Sequence, residues 1–359
     1  MLFFIIVFIV YTFINVYIFR KTFRFLPTVR GLRMVFCVGY LIVYFAFLIA
    51  MLGRNDLALL LQKVLYRIGV VWMGAMLYLT LWFVLNDLVS LVFRRWRRLA
   101  NWQVLAGYLL TMVVLTAGYY RFTHPVAQSY NINIEDARRD LKMVVVSDLH
   151  LGVSIDKKRL QQYVALINAQ QPDLILIAGD VVDNNALPLE VEKMYEELNC
   201  LHAPIGVYMC LGNHEYLSGI ESSLAFLQKT NITLLRDSLA VIPDVCRIVG
   251  RDDLQGNPHR KSLADLLASS DTSLPAIVID HEPVHLEEAA DAGVALQVSG
   301  HTHRGQLFPM NLLVKSMFED SYGYLQKNNT HFIVTSGLGL WGPPFRIGTQ
   351  SEFVVINVR

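Results

Sequence analysis

LILIAGDVVD, residues 174–183, runs five unbroken apolar residues into a Gly-Asp turn and a second Asp three positions later. An apolar run of that length, closed by glycine, reads as a strand buried on both faces, the kind that helices cover in an α/β domain. Carboxylates just past the end of such a strand stand where α/β folds gather their chemistry. The arrangement recurs along the chain. LKMVVVS (141–147) leads into Asp148-Leu149-His150, and the apolar run 206–211 leads into Gly212-Asn213-His214-Glu215. The runs 276–280 and 295–299 lead into His281-Glu282-Pro283 and Gly300-His301-Thr302-His303. Helical apolar spacing over 156–169, 189–198, 217–228 and 284–292 fills the intervals, and 332–336 and 353–358 close the chain as strands. Strand and helix in alternation predict one α/β domain of ordinary size.

The residues before this domain are of another kind. The chain has 359 residues and is 54% hydrophobic, with a mean hydropathy of +0.40. The excess lies in four uncharged runs, 2–19, 34–53, 68–86 and 99–120, each long enough to cross a bilayer as a helix of roughly 17 to 25 residues. Charge divides at the same place. Residues 1–120 hold 12 Lys/Arg against Asp56 and Asp87, whereas 121–359 hold 19 Lys/Arg against 28 acids. An acidic soluble part lacks the basic surface that nucleic-acid binding needs, so no nucleic-acid partner is expected. The predicted division is a four-span transmembrane domain over 1–120, a connector with a first strand over 121–140, and a catalytic domain over 141–359.

Basic residues between the runs set an expected orientation. Arg20, Lys21, Arg24, Arg30 and Arg33 follow the first run, and Arg94, Arg95, Arg97 and Arg98 precede the last. The middle break carries Arg54, Lys63 and Arg67, offset by Asp56. The stronger clusters belong in the cytoplasm, which puts the catalytic domain on the extracytoplasmic side. The first run has no basic residue before it and Arg20-Lys21 after it, a pattern that favours a membrane anchor over a cleaved signal peptide. Trp72, Trp82, Trp96 and Trp102 are read as interface markers. The four cysteines show no zinc spacing, and Cys210 in its apolar run reads as a small core residue.

The five polar motifs supply imidazole, carboxylate and amide oxygen, with no thiolate. Such a donor set suits Mn, Fe, Zn or a similar divalent ion and predicts metal-assisted hydrolysis of a phosphate ester. Taken in order, D-x-H, G-D-x-x-D, G-N-H-E, H-x-P and G-H-T-H resemble the calcineurin-like metallophosphoesterase superfamily, over essentially the whole region from Asp148 onward. The resemblance implies an αββα sandwich and two divalent ions, with Mn favoured. It implies Asp148, His150, Asp180 and His303 at one ion, and Asp180, Asn213, His281 and His301 at the other, with Asp180 and a hydroxide bridging. His214 is then expected as general acid, oriented by Asp183; an eighth ligand or a phosphate donor is the alternative role for His214, and a turn or cap carboxylate for Asp183. Glu215 reads as a local hydrogen-bond partner. Arg304, after the G-H-T-H turn, and Arg346, in the Gly/Pro-rich loop 337–346, are expected to touch substrate. His124, His202, His259, His285 and His331 lie outside the motifs.

A lipid or other envelope-linked phosphate ester is the expected substrate, with the bilayer itself as a partner; oligomeric state is not legible. Two other readings compete. One is a pyrophosphatase of the UDP-diacylglucosamine type at the cytoplasmic face, which requires the opposite topology. The other is a metal-binding membrane sensor or scaffold, which would have no use for the spare His214–Asp183 pair.

Overall fold

A computed structural model of the chain describes residues 2–53, 56–268 and 273–359; Arg54 of the middle basic break lies outside the described residues. The chain divides into two compact units, one of Met1–Tyr120 with Gly342–Phe345, the other of Arg121–Trp341 with Arg346–Arg359.

The first unit is built on α1 (Leu2–Phe25), α2 (Arg30–Leu52), α3 (Leu59–Val92) and α4 (Ala100–Thr123). All four are long and apolar enough to cross a membrane. Cross-helix polar contacts fix which ends lie together. Lys21 and Tyr17 of α1 meet Asp87 near the end of α3, and Thr22 of α1 meets Tyr108 of α4 at 2.6 Å. The C-terminal ends of α1 and α3 therefore share one side with the N-terminal end of α4, the arrangement expected of successive antiparallel spans. Deeper in the bundle, Asn15 is 1% exposed. Its Oδ1 accepts from Trp72 Nε1 at 2.8 Å, its backbone carbonyl accepts from Tyr40 Oη at 2.7 Å, and its amide nitrogen donates to the Tyr11 carbonyl at 2.8 Å. One amide thus ties α1 to α2 and α3. The Trp72 indole N–H is spent on this interior bond.

The second unit is a sandwich of two six-stranded sheets. Its strands are β1 (Val126–Ile132), β2 (Leu141–Val146), β3 (Leu174–Ala178), β4 (Gly206–Cys210), β5 (Thr233–Leu234) and β6 (Ser238–Ile242). They continue with β7 (Cys246–Gly250), β8 (Ala276–Ile279), β9 (Leu296–Ser299), β10 (Gly323–Lys327), β11 (Thr330–Val334) and β12 (Glu352–Val358). One sheet has the order β1-β12-β2-β3-β4-β5, the other β10-β11-β9-β8-β7-β6. Side chains on a strand alternate between faces. In β2, Met143 and Val145 enter the core between the sheets, with Leu174, Leu176, Ile277, Ile279 and Val298. Val144 and Val146 face the other way, onto Leu160, Tyr163 and Ile167 of the helix Lys157–Asn168. Both faces being apolar explains why these strands read as continuous hydrophobic runs.

Two expected helices are broken. The span 189–198 divides into Leu187–Val191 and Met194–Leu198 around Lys193, whose φ is +51°. The span 217–228 divides at Gly219, φ +99°, which separates Asn213–Leu217 from Ile220–Leu227. Strands β5, β6, β7 and β10 were not expected from the sequence.

Candidate metal centre

Parallel pairing aligns β2, β3 and β4 in one sheet, and β7, β8 and β9 in the other. The segments leaving the C-terminal ends of β2, β3, β4, β8 and β9 carry all five motifs. Their backbone is unusual. Asp148, His150, Asp180, His301 and His303 have φ of +56°, +46°, +56°, +67° and +46°. Non-glycine residues held in that region cost roughly 1 to 3 kcal/mol each, a cost sustained where the surroundings over-determine the conformation. Here the determinants are visible. Asp148 N–H donates to the Gly179 carbonyl at 3.1 Å, and His150 N–H to the Asp180 carbonyl at 3.0 Å.

Glu215 is fully buried and binds four main-chain amides. Its Oε1 accepts from Val181 at 2.7 Å and Val182 at 2.9 Å; its Oε2 accepts from Asp180 at 3.0 Å and Gly212 at 2.8 Å. One carboxylate therefore locks the G-D-x-x-D loop to the G-N-H-E loop. Burial, followed by the charge of Asp180, pushes Glu215 up to about 7. Close approach explains two motif glycines. A Cβ at Gly212 would collide with the Asp180 carboxylate, and one at Gly300 with the Ser147 hydroxyl.

The seven residues expected at the ions converge in two touching groups. In one, His150 Nε2 lies 3.1 Å from His303 Nε2, and Asp148 Oδ1 lies 3.4 Å from His303 Nε2. In the other, Asn213 Oδ1 lies 3.2 Å from His281 Nε2 and 3.3 Å from His301 Nδ1, and those two ring nitrogens are 3.3 Å apart. His281 Nδ1 is 2.7 Å from the Ala178 carbonyl, which only accepts, so the neutral ring presents a lone pair at Nε2. Asp180 stands between the groups: its Oδ2 is 3.2 Å from His281 Nε2 and 3.7 Å from His150 Nε2. Its Oδ1 is occupied by the His214 amide at 2.9 Å. Lone pairs aimed at one another across about 3 Å repel unless a cation lies among them, so the donor set fits two metal ions.

Burial opposes charge on His281, yet Asp180 and Asp148 hold it well above the usual imidazole range. The same burial, reinforced by neighbouring imidazoles, lowers His301 to about 3 and holds His303 well below its ordinary value.

His214 stands outside the two ligand groups, though its donors converge with those of Asp183 and His150 in a third cluster. Its ring packs edge-on against His150, centroids 4.5 Å apart, and its Nδ1 lies 3.3 Å from Asp183 Oδ1. Burial disfavours its charged form, but Asp183 and Asp180 together raise it to about 9. Asp183 is shared, since the same Oδ1 is 3.7 Å from His150 Nδ1. Trp341, which the sequence reading passed over, is 47% exposed and sets its ring 6.2 Å from that of His214. Gln306 clamps it, donating to the Trp341 carbonyl at 2.8 Å and accepting its amide at 3.3 Å. A Trp inside a Gly/Pro-rich loop was the available signal.

The two arginines part company. Arg304 is exposed and stacks on Tyr322, its guanidinium 4.1 Å from the ring centre. Arg346 is fully buried, with Nη1 on the His303 carbonyl at 3.1 Å and Nη2 on the carbonyls of Gly337 and Gly339 at 3.0 and 2.5 Å. The expectation that Arg346 touches a phosphate is therefore corrected: no part of it is accessible, and it fixes the loop and the His303 backbone instead.

A two-sheet α/β sandwich concentrates four imidazoles, two carboxylates and an amide at its strand ends, a candidate metal site of the kind found in metallophosphoesterases. The family model for calcineurin-like phosphoesterases matches residues 141–305. The chain is 31% identical, over 65% of its length and 91% of the relative's, to an uncharacterized metallophosphoesterase of Aquifex aeolicus. It is 28% identical over 99% of its length and 97% of the relative's to another from Campylobacter jejuni. A transmembrane protein with metallophosphoesterase domain from Danio rerio is 29% identical, over 72% of this chain and 63% of that protein. The chain belongs to the calcineurin-like phosphoesterase family.

Proposed function

We propose that this chain hydrolyses a phosphoric ester at two divalent ions held by Asp148, His150, Asp180 and His303 and by Asp180, Asn213, His281 and His301. The observation that carries the reading is the position of Asp180 Oδ2, within 3.2 Å of one ligand group and 3.7 Å of the other. When bound, such ions lower the pKa of water to about 7 and neutralise charge on phosphoryl oxygens. Imidazole and oxygen donors without thiolate suit Mn, Fe or Zn, and manganese is the ion we propose.

The remaining chemistry belongs to side chains. Water adds to phosphorus, the ester P–O bond breaks, and the leaving oxygen takes a proton. With Nδ1 turned to Asp183, His214 presents Nε2 for that transfer, a step worth roughly 10²- to 10⁴-fold in rate. Trp341 offers an apolar face beside His214 for the leaving group, and exposed Arg304 is a candidate contact for substrate phosphate.

Four membrane-length helices support a substrate drawn from the bilayer, a lipid or lipid-linked phosphate ester, and the basic clusters at 20–33 and 94–98 support a catalytic domain on the extracytoplasmic side. The full chain should cleave an aryl phosphodiester, lose turnover to a chelator and regain it with Mn²⁺. Asp180→Ala should fall by roughly 10³-fold or more and bind fewer than two ions. Wild-type turnover in that variant, or in chelator, would sink the assignment.

A further inference from the structure

A cleft of about 690 Å³ opens in the first unit between α1, α3 and the start of α4. Its inner walls are mainly apolar, from Phe13 and Ile14 of α1 and Val84 of α3, with Thr80 beside them. Its outer end is polar, with Lys21, Asp87, Tyr17 and Gln103 on the lining. Lys21 and Asp87 form an ion pair there, and Tyr17 donates to the second oxygen of Asp87 at 2.7 Å. The pair is not sealed in protein: the Lys21 side chain is 31% exposed and that of Asp87 47%. Ionisable residues within membrane-length helices are costly and usually serve a site.

Depth identifies what such a cleft receives. Lys21 lies four residues before the end of α1 and Asp87 five before the end of α3, roughly 6 to 8 Å inside the helix ends at 1.5 Å per residue. With those helix ends at the membrane surface, that is the level where lipid headgroups meet acyl chains. Phe13 lies two turns further in, roughly 12 Å beyond Lys21. The cavity therefore has a polar mouth at headgroup depth and an apolar floor reaching toward the bilayer centre.

From this geometry we infer that the cleft binds an aminophospholipid, its phosphate on Lys21, its ammonium on Asp87 and one acyl chain along Phe13, Ile14 and Val84. Charge selects this occupant. A purely anionic headgroup satisfies Lys21 but meets the like charge of Asp87. A zwitterion with phosphate and ammonium two carbons apart answers both charges at once. The binding uses no residue of the metal centre and stands apart from the hydrolytic reading.

The test uses the full-length chain in detergent, offered equal amounts of phosphatidylethanolamine and phosphatidylglycerol of matched acyl chains, with retained lipid counted by native mass spectrometry. Wild type should keep one phosphatidylethanolamine in preference to phosphatidylglycerol by about five-fold or more, and Asp87→Asn should level the two. Val84→Trp, which fills the apolar floor, should lower retention of phosphatidylethanolamine by about five-fold. Elution profile and circular dichroism establish that each variant is folded. Equal retention of both lipids by wild type would mean ordinary boundary lipid and overturn the inference, as would a preference untouched by Val84→Trp. Those two measurements decide the matter even if Asp87→Asn fails to fold.

Discussion

His214 and Glu215 are adjacent, and the fold gives them opposite tasks. The His214 imidazole is 12% exposed beside Trp341, whereas Glu215 is sealed against four amides. If His214 delivers a proton, His214→Ala should retain both ions yet lose roughly 10²-fold or more on an alkyl ester, whose leaving group needs protonation. The loss should shrink on a nitrophenyl ester, whose leaving group does not; equal losses on both would assign His214 another role. Glu215→Gln tests the lock. It would turn an acceptor oxygen into an amide donor facing two N–H groups, costing about 2 to 4 kcal/mol of domain stability. A fall in urea midpoint of the metal-free protein would register that cost, and an unchanged midpoint would refute it. The convergence of these residues was legible in the sequence because strand-end motifs carry donor side chains at fixed offsets from apolar runs. Arg346 was not. A loop arginine reads the same whether its guanidinium meets solvent or three carbonyls, and burial is decided by segments far away in the sequence.

Among the elements, most strands covered on both faces read plainly, but β7 is buried throughout and was missed, because Arg247 interrupts its short apolar run. β2, β3, β8 and β9 were plain as apolar runs. β6 and β10 carry intermediate and exposed residues along much of their length, and β5 is only two residues long, so none of the three offered a continuous pattern. Helix breaks were hidden for a different reason: Lys193 adopts a left-handed conformation that nothing in its side chain announces. In the first unit the four runs fixed the helices, but hydropathy could not foresee the polar tie at Asn15. Asn15→Leu should destabilise the helical unit by about 1 to 2 kcal/mol, since the Trp72 indole N–H loses its acceptor inside the bundle. Steric trapping or denaturation in mixed micelles would measure it. A neutral result would show that Trp72 finds another acceptor.

At the scale of the whole chain, the basic clusters at 20–33 and 94–98 carry the topological prediction. A cysteine-reactive or epitope probe placed after Arg359 should be labelled on intact cells without permeabilisation. Protection until the membrane is opened would reverse the orientation and favour a cytoplasmic substrate. The sheet topology adds a constraint of a different sort, one of timing. β1 begins three residues after the last residue of α4, yet it pairs in parallel with β12, Val126 against Glu352. A ribosome adding about 5 to 20 residues per second needs roughly 11 to 45 s to make the residues between those partners. During that interval the four helices can already have entered the bilayer while β1 waits, its hydrogen-bonding edge unmatched, on the side of the membrane where the catalytic domain must be completed. Biogenesis of this protein should therefore depend on whatever shelters that strand until β12 arrives, and nascent chains stalled before β12 should be the form most open to proteases.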